Sequence, residues 1–258
     1  MSHNKSHKNK KKLTKEEEQE VFESITNRGN PLDFKINCKF KTKKQKEMFT
    51  SIMANRITFV NGVAGTGKTL VALMAGLECV KDSAVNINQI VLTKLIVEIA
   101  SSRSIGALPG ELNEKTFNYY THFYDNLIKL IGNEATKKLK GSGTIKETIL
   151  NFLRGSTFGT YDNNGNPVGS FCIFDEAQNS TIVEMKTFIS RMQTETKLVI
   201  MGDSDQIDLK FAKGEKSGLE DAIQRFSGIP GIGFVTFDED DIVRDPFLVE
   251  IMKRYKAK

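Results

Sequence analysis

The run Gly62-Val63-Ala64-Gly65-Thr66-Gly67-Lys68-Thr69 has the spacing Gly-x4-Gly-Lys-Thr. Each residue type in it suits one task in gripping a nucleoside triphosphate. The glycines let the backbone fold tightly and turn successive N–H groups inward, which makes a concave site for anionic oxygens. A helix starting at the end of the loop adds partial positive charge at the same place. Lys68 then reaches the β- and γ-phosphates, and the Thr69 hydroxyl holds Mg²⁺. With Leu70 carrying the loop into the helix, residues 62–70 form the expected nucleotide-binding stretch. An ordinary Gly-rich turn is the competing explanation, and the flanks argue against it. Ile57 to Asn61 is apolar and β-rich, and Leu70 to Val80 is nearly all apolar with Ala and Leu throughout. Strand, glycine loop, helix is the context that the motif requires.

Two further polar clusters follow apolar runs. Phe171-Cys172-Ile173-Phe174 reads as a buried strand and ends on Asp175-Glu176. In a parallel sheet, ligands collect outside the carboxyl ends of the strands. Asp175 there can join Thr69 in the Mg²⁺ shell, and Glu176 can orient and deprotonate an attacking water. These acids are expected on a strand adjacent to the one that carries the loop. Lys197 to Met201 reads as another strand, followed by Gly202-Asp203-Ser204-Asp205-Gln206. Gln206 there either senses the γ-phosphate or stands incidentally in a Gly-Asp turn. Gln45, just ahead of the loop, also has two readings. It caps the helix that Thr42 opens, or it presents its amide to an adenine edge, donating and accepting at once.

The elements that must position these residues alternate along the chain. Phe34, Ile36, Cys38 and Phe40 alternate with Lys35, Asn37 and Lys39, the pattern of a half-buried strand. A helix is expected from Thr42 to about Asn55, a strand from Gln89 to Thr93, and a broken segment from Lys94 to Gly110. Residues 112–131 are helical in pattern, with Phe117, Tyr119, Tyr120, Phe123 and Tyr124 beside Lys115 and His122. Such aromatics either pack a core or stack bases, and helical spacing favours the core. Lys137 to Gly143 reads as a polar connection and Ile145 to Leu153 as a short helix. Thr157 to Tyr161, a turn through Asp162 to Pro167, and Val168 onward read as a hairpin feeding the Phe171 strand. Helices over Thr181–Met192 and Ser217–Arg225, a strand over Ile232–Phe237 and an amphipathic helix over Pro246–Tyr255 complete the series. The fold expected is α/β: a mainly parallel sheet with helices on both faces, one domain over residues 31–258. Residues 1–30 are expected to be a basic disordered tail and a short helix from Thr14 to Ser24.

Composition narrows the function classes. The chain has 258 residues, 39% hydrophobic and 27% charged, which suits a globular domain with a sizeable core. No apolar run is long enough to span a bilayer, and no apolar segment follows the N-terminal lysines, so neither membrane insertion nor a secretion signal is expected. Cys38, Cys79 and Cys172 are far apart and have no metal-ligand spacing, as in a reducing compartment. The expected location is the cytoplasm, or a host's cytoplasm if the gene is viral. The net charge is +5, and Lys5, Lys8, Lys10, Lys11 and Lys12 account for all of it. That tail either aids solubility or serves as a non-specific phosphate-binding arm. A local basic stretch remains at Lys35, Lys39, Lys41, Lys43, Lys44 and Lys46, compatible with nucleic acid.

Taken in order, the motifs resemble the PhoH-like family of P-loop ATPases related to the first motor domain of helicases. The matching residues are Gly62–Thr69, Leu108-Pro109-Gly110, Arg154-Gly155-Ser156-Thr157, Asp175-Glu176-Ala177-Gln178-Asn179, Ser190-Arg191, Gly202-Asp203 with Gln206-Ile207-Asp208-Leu209, Ser217-Gly218-Leu219 and Asp241-Ile242-Val243-Arg244. The resemblance implies a RecA-like fold, ATP binding, hydrolysis and ring-shaped homo-oligomers, a hexamer being one such ring. It also favours Gln45 as an adenine reader. Two departures stand out. Lys94-Leu95 replaces the family's Arg-Pro, in the segment that the resemblance makes the analogue of a helicase nucleic-acid contact, and Asp245-Pro246 replaces its His-Pro. The mechanism expected is in-line attack by a water that Glu176 positions, with Gln178 and Gln206 reporting the γ-phosphate. A further cation is expected from a neighbouring subunit, Arg244 first and Arg191 second. RNA or single-stranded DNA is the expected partner. The rival readings are a nucleotide-gated regulator with slow hydrolysis and a small-molecule kinase. No Asn-Lys-x-Asp guanine-reading motif follows the loop, which counts against a GTPase.

Overall fold

The computed structural model describes residues 32–96, 112–153, 155–162, 164–209, 211, 214–243, 247 and 254, with the backbone alone for 112–118. The expectations for residues 1–31, Leu108-Pro109-Gly110, Arg154, Arg244 and most of the C-terminal helix lie outside the described residues. Six α-helices among those described are labelled in chain order. They are α1 (Lys43–Ala54), α2 (Lys68–Lys81), α3 (Leu112–Ile131), α4 (Asn133–Gly141), α5 (Ile182–Ile189) and α6 (Gly218–Phe226). The strands are β1 (Ile57–Gly62), β2 (Ile87–Lys94), β3 (Ile145–Ile149), β4 (Thr160–Tyr161), β5 (Pro167–Phe174), β6 (Lys197–Gly202) and β7 (Ile232–Phe237).

The sheet runs β3-β2-β5-β6-β1-β7, and every pairing along this path is parallel. Short β4 is antiparallel to the start of β5. Central strands are apolar on both sides because both faces are covered. Phe171 and Ile173 of β5, with Val199 and Met201 of β6, join a core under α1, α2 and α3. Cys172 and Phe174, with Leu198 and Ile200, join a second core under α5 and α6. Two cores on opposite faces hold the carboxyl ends of the strands in one fixed row.

Four expectations are corrected. Phe34 to Phe40 alternates in burial as its pattern suggests, but it joins no ladder. It runs over the first core, and the Asn37 N–H donates to the Leu130 carbonyl at 2.7 Å. Lys137 to Gly141 belongs to α4, whose buried Thr136 and Leu139 lie three residues apart on one face. Ile145 to Ile149 is an edge strand, followed by a 3₁₀ turn at Leu150–Phe152. A spacing of four suits a helical face and one side of a strand alike, so Ile145 and Ile149 did not separate the two. Finally, β5 is not adjacent to β1, because β6 lies between them.

Candidate functional site

The loop after β1 takes its shape from three glycines at positive φ: Gly62 at 142°, Gly65 at 87° and Gly67 at 85°. At Gly62 an added Cβ would also stand 2.3 Å from the Phe237 carbonyl oxygen on β7, so no side chain fits. Gly67, left-handed at the N-cap of α2, aims the first turn of that helix into the loop. The Thr66 hydroxyl closes the loop from inside by donating to the Val63 carbonyl at 3.1 Å. Lys68 lies beneath, and its ammonium donates to the carbonyls of Gly62 and Val63. Burial lowers its pKa, an effect opposed by the negative charges of Asp175, Asp203 and Glu176.

Across the cleft, Asp175 stands at the end of β5. Its Oδ2 accepts from the Thr69 hydroxyl at 3.1 Å and lies 3.1 Å from His122 Nε2. Lys94 Nζ, at the end of β2, is 4.0 Å from the same oxygen. Burial pushes the Asp175 carboxyl up. The His122 hydrogen bond, the nearby positive charge and the Thr69 bond outweigh that and hold it at about 2. An ionised carboxylate and a hydroxyl, both hard oxygen donors, meet at a helix N-terminus. That donor set suits Mg²⁺.

Glu176 is exposed at the cleft, and Gln178 Nε2 donates to its Oε2 at 2.7 Å. Gln178 itself is buried and has its amide engaged within the protein. Its Nε2 also donates to the Gln206 carbonyl at 3.1 Å, and its Oε1 accepts from the Asp203 N–H at 3.1 Å. It therefore sits behind Glu176 rather than in the cleft. Gln206 does line the cleft and donates to Asp203 Oδ2 at 2.8 Å. The two acidic motifs are joined again one residue further on, where the Asp208 N–H donates to Asn179 Oδ1 at 2.8 Å and Asn179 Nδ2 donates back to the Asp208 carboxylate at 3.1 Å.

The cleft encloses about 440 Å³. One wall is Ala64, Gly65, Gly67 and Lys68 to Leu70, and the other is Asp175, Glu176, Gly202, Asp203 and Gln206. Asn126 and Lys129 of α3 line it as well, and neither carries a motif that would have exposed this in the sequence. His122 lies on the same polar face of α3, at the spacing i, i+4, i+7 with those two. Tyr120, Phe123, Leu127 and Leu130 face the core, so the aromatic run is mostly packing.

Other candidates lie elsewhere. Gln45 is buried beneath the loop, where its Oε1 accepts from the Lys41 N–H at 2.7 Å and its Nε2 donates to the Thr66 carbonyl at 2.9 Å. The helix-capping role goes to the Thr42 hydroxyl, which accepts from the Gln45 N–H at 3.1 Å. Arg191 follows α5 at the amino edge of the sheet, away from the cleft of its own chain. It donates to the carbonyls of Thr187 and Ser156 and to the Ser190 hydroxyl. Lys94, expected at a nucleic-acid contact, is mostly buried beside Asp175.

A glycine loop after β1 that faces an Asp-Glu pair across an inserted strand defines a P-loop domain of RecA-like α/β fold. The family model described as PhoH-like protein matches residues 37–256, and the chain belongs to that family. A PhoH-like protein of Bacillus subtilis is 36% identical over 245 residues, covering 95% of this chain and 72% of that protein. One from Mycobacterium leprae is 35% identical over 215 residues, covering 83% of this chain and 57% of that one. Among solved structures, the chain is similar to the Pif1 helicase of Candida albicans, with TM-score 0.40 and 14% identity over 84% of this chain and 44% of that one. It is also similar to the large terminase of a thermophilic bacteriophage in complex with ADP, with TM-score 0.43 and 13% identity over 84% of this chain and 50% of that one. Among the described residues no helix is long and apolar enough to cross a membrane.

Proposed function

We propose that the chain is a Mg²⁺-dependent ATPase with a helicase-like core that acts on RNA or single-stranded DNA as a ring-shaped homo-oligomer in the cytoplasm. The observation that carries this reading is the 3.1 Å approach of the Thr69 hydroxyl to Asp175, with the Glu176 carboxylate beside it at the cleft. Thr69 and Asp175 would hold Mg²⁺, which when bound supplies charge neutralisation at the β- and γ-phosphate oxygens. The inward N–H groups of residues 63–69 bind the phosphates, and Lys68 leaves its own loop's carbonyls to pair with them. Glu176 orients a water in line and takes its proton. Gln206 hydrogen-bonds the γ-phosphate. Its link to Asp203, and through it to Gln178, ties that contact to the backbone of two strands. Arg244 of a neighbouring subunit is the first candidate for the remaining cation. Arg191 is the second.

The test is ATP hydrolysis measured with and without single-stranded RNA or DNA, across protein concentration and salt. A rate per subunit that rises with concentration and with nucleic acid, the latter effect fading as salt is added, is expected. Hydrolysis that ignores nucleic acid favours the nucleotide-gated regulator instead. Arg244→Ala is expected to lower the rate at high protein concentration. An unchanged rate and concentration dependence removes the shared site.

A further inference from the structure

The Glu176 carboxylate stands exposed at the cleft on a flexible side chain. Among the described residues, the donor that holds it is Gln178 Nε2, at 2.7 Å from Oε2 and two residues on across the turn at Ala177–Asn179. A hydrogen bond to an ionised oxygen is stronger than one between neutral groups. Gln178 itself is fixed. It is 1% exposed, its Nε2 also donates to the Gln206 carbonyl at 3.1 Å, and its Oε1 accepts from the Asp203 N–H at 3.1 Å. These partners fit a single orientation of the amide. The reversed one would set its oxygen against two oxygens and its NH2 against an N–H. The end of β6 leaves the space in which the amide lies. At Gly202 an added Cβ would stand 2.6 Å from Gln178 Oε1 and 2.9 Å from the Gln178 backbone nitrogen.

We propose that Gln178 is a positioning residue for hydrolysis, whose amide fixes the Glu176 carboxylate where it meets the attacking water. A general base must lie within hydrogen-bond reach of the proton it takes, and a misplacement of about 1 Å can cost about 100-fold in rate. Gln178 lies behind Glu176 and acts through it. Its other two bonds go to the segment after β6, at Asp203 and Gln206, and the Gln206 side chain lines the same cleft. The base and the residue read as the γ-phosphate contact therefore share one anchor. Both hydrogens of the Gln178 NH2 are engaged in this way, so the amide has no donor left to report a γ-phosphate directly.

The role assigned to Gln178 rests on the reading of Glu176 as the base, and the experiment separates the two. ATP hydrolysis with Mg²⁺ is measured for the full chain and for Gln178→Ala and Gln178→Glu, each alone and combined with Glu176→Gln. Gln178→Glu keeps the shape and the acceptor for the Asp203 N–H and replaces the NH2 donor by an oxygen, so it serves if the alanine variant does not fold. Circular dichroism confirms that each variant is folded. Either substitution alone is expected to lower kcat roughly 10–100-fold while KM for ATP changes less than about threefold, because the loop still binds the phosphates. Added to Glu176→Gln, either should lower the rate no more than about twofold further, since the carboxylate it positions is already gone. Equal losses in both backgrounds, an unchanged kcat, or a KM that rises as far as kcat falls overturns the positioning role and leaves Glu176 as the base. A Glu176→Gln variant that hydrolyses ATP at the wild-type rate ends both.

Discussion

Thr69 and Asp175 are 106 residues apart in sequence, yet the hydroxyl of one donates to the carboxylate of the other at 3.1 Å. The contact closes across β6, which separates the strand bearing the loop from the strand bearing the acid. If the two side chains serve one bound cation, removing either should disable the same step. Thr69→Ala and Asp175→Asn are each expected to lower kcat/KM for ATP by about 100-fold or more, and the double variant should fall little below the worse single one. Groups that act as a unit are strongly non-additive. Losses that multiply in a four-protein cycle would mean that the residues act separately.

Gln45 separates the sequence reading from the structural one. A base reader presents a free amide to the nucleotide, whereas this amide bridges the Lys41 N–H and the Thr66 carbonyl beneath the loop. Gln45→Ala leaves both groups without that partner. It should destabilise the fold by roughly 1–3 kcal/mol, read by thermal or urea unfolding. KM for ATP and for GTP should rise in parallel, because the loop beneath the phosphates is loosened. A tenfold change in the ratio of the two would favour adenine reading by this residue instead.

What the chain disclosed of this site follows from how local each requirement is. The Gly-x4-Gly-Lys-Thr run and the apolar strands ending on Asp175 and Gly202 carry backbone demands that can be stated within ten residues. Helix starts at Thr42, Thr181 and Ser217 were equally local, since each hydroxyl caps an N–H three residues on. The contacts that order the site were not legible in this way. Asn179 with Asp208, Gln178 with Asp203, and His122 with Asp175 depend on where the sheet sets distant strand ends. His122 sits among aromatics whose spacing pointed to packing, and packing explains its neighbours but not its own direction. The edge strand β3 was hidden because Ile145 and Ile149 satisfy two periodicities.

The depressed Asp175 carboxyl makes stability depend on pH in a defined window. A carboxyl held at about 2 in the fold, against 3.8 ordinarily, stabilises the folded state wherever both states are ionised. That contribution is complete above about pH 5 and disappears as pH falls towards 2, an effect of roughly 2 kcal/mol with about half gone by pH 3. Urea unfolding of the metal-free protein between pH 6 and 3 should therefore lose about 1 kcal/mol more in the wild type than in Asp175→Asn. Parallel curves would mean that His122, Lys94 and Thr69 do not hold the carboxyl down.

Glu176 combines a catalytic position with an unfavourable backbone. Its φ of 59° and ψ of 35° lie in the left-handed region, and it is the one non-glycine residue at positive φ among those described. The conformation is imposed from both sides. Its N–H donates to Asp175 Oδ1 at 3.1 Å, and its carbonyl accepts from the Asn179 N–H at 3.2 Å as the chain enters the turn at Ala177–Asn179. This twist turns the carboxylate to the cleft while Asp175 faces Thr69, so two adjacent acids serve different atoms. Glycine relieves the strain at a cost in chain freedom, so Glu176→Gly should be more stable by roughly 0.5–1 kcal/mol than Glu176→Ala, which gives up the same Gln178 hydrogen bond and keeps the strain. Glu176→Gln keeps the strain and should melt with the wild type. Both should bind ATP while hydrolysing it at least about 100-fold more slowly, because neither side chain accepts a proton from water. Thermal melts beside hydrolysis rates separate the two effects. A glycine variant that melts lower than the alanine variant would show that the left-handed turn at Glu176 is not strained.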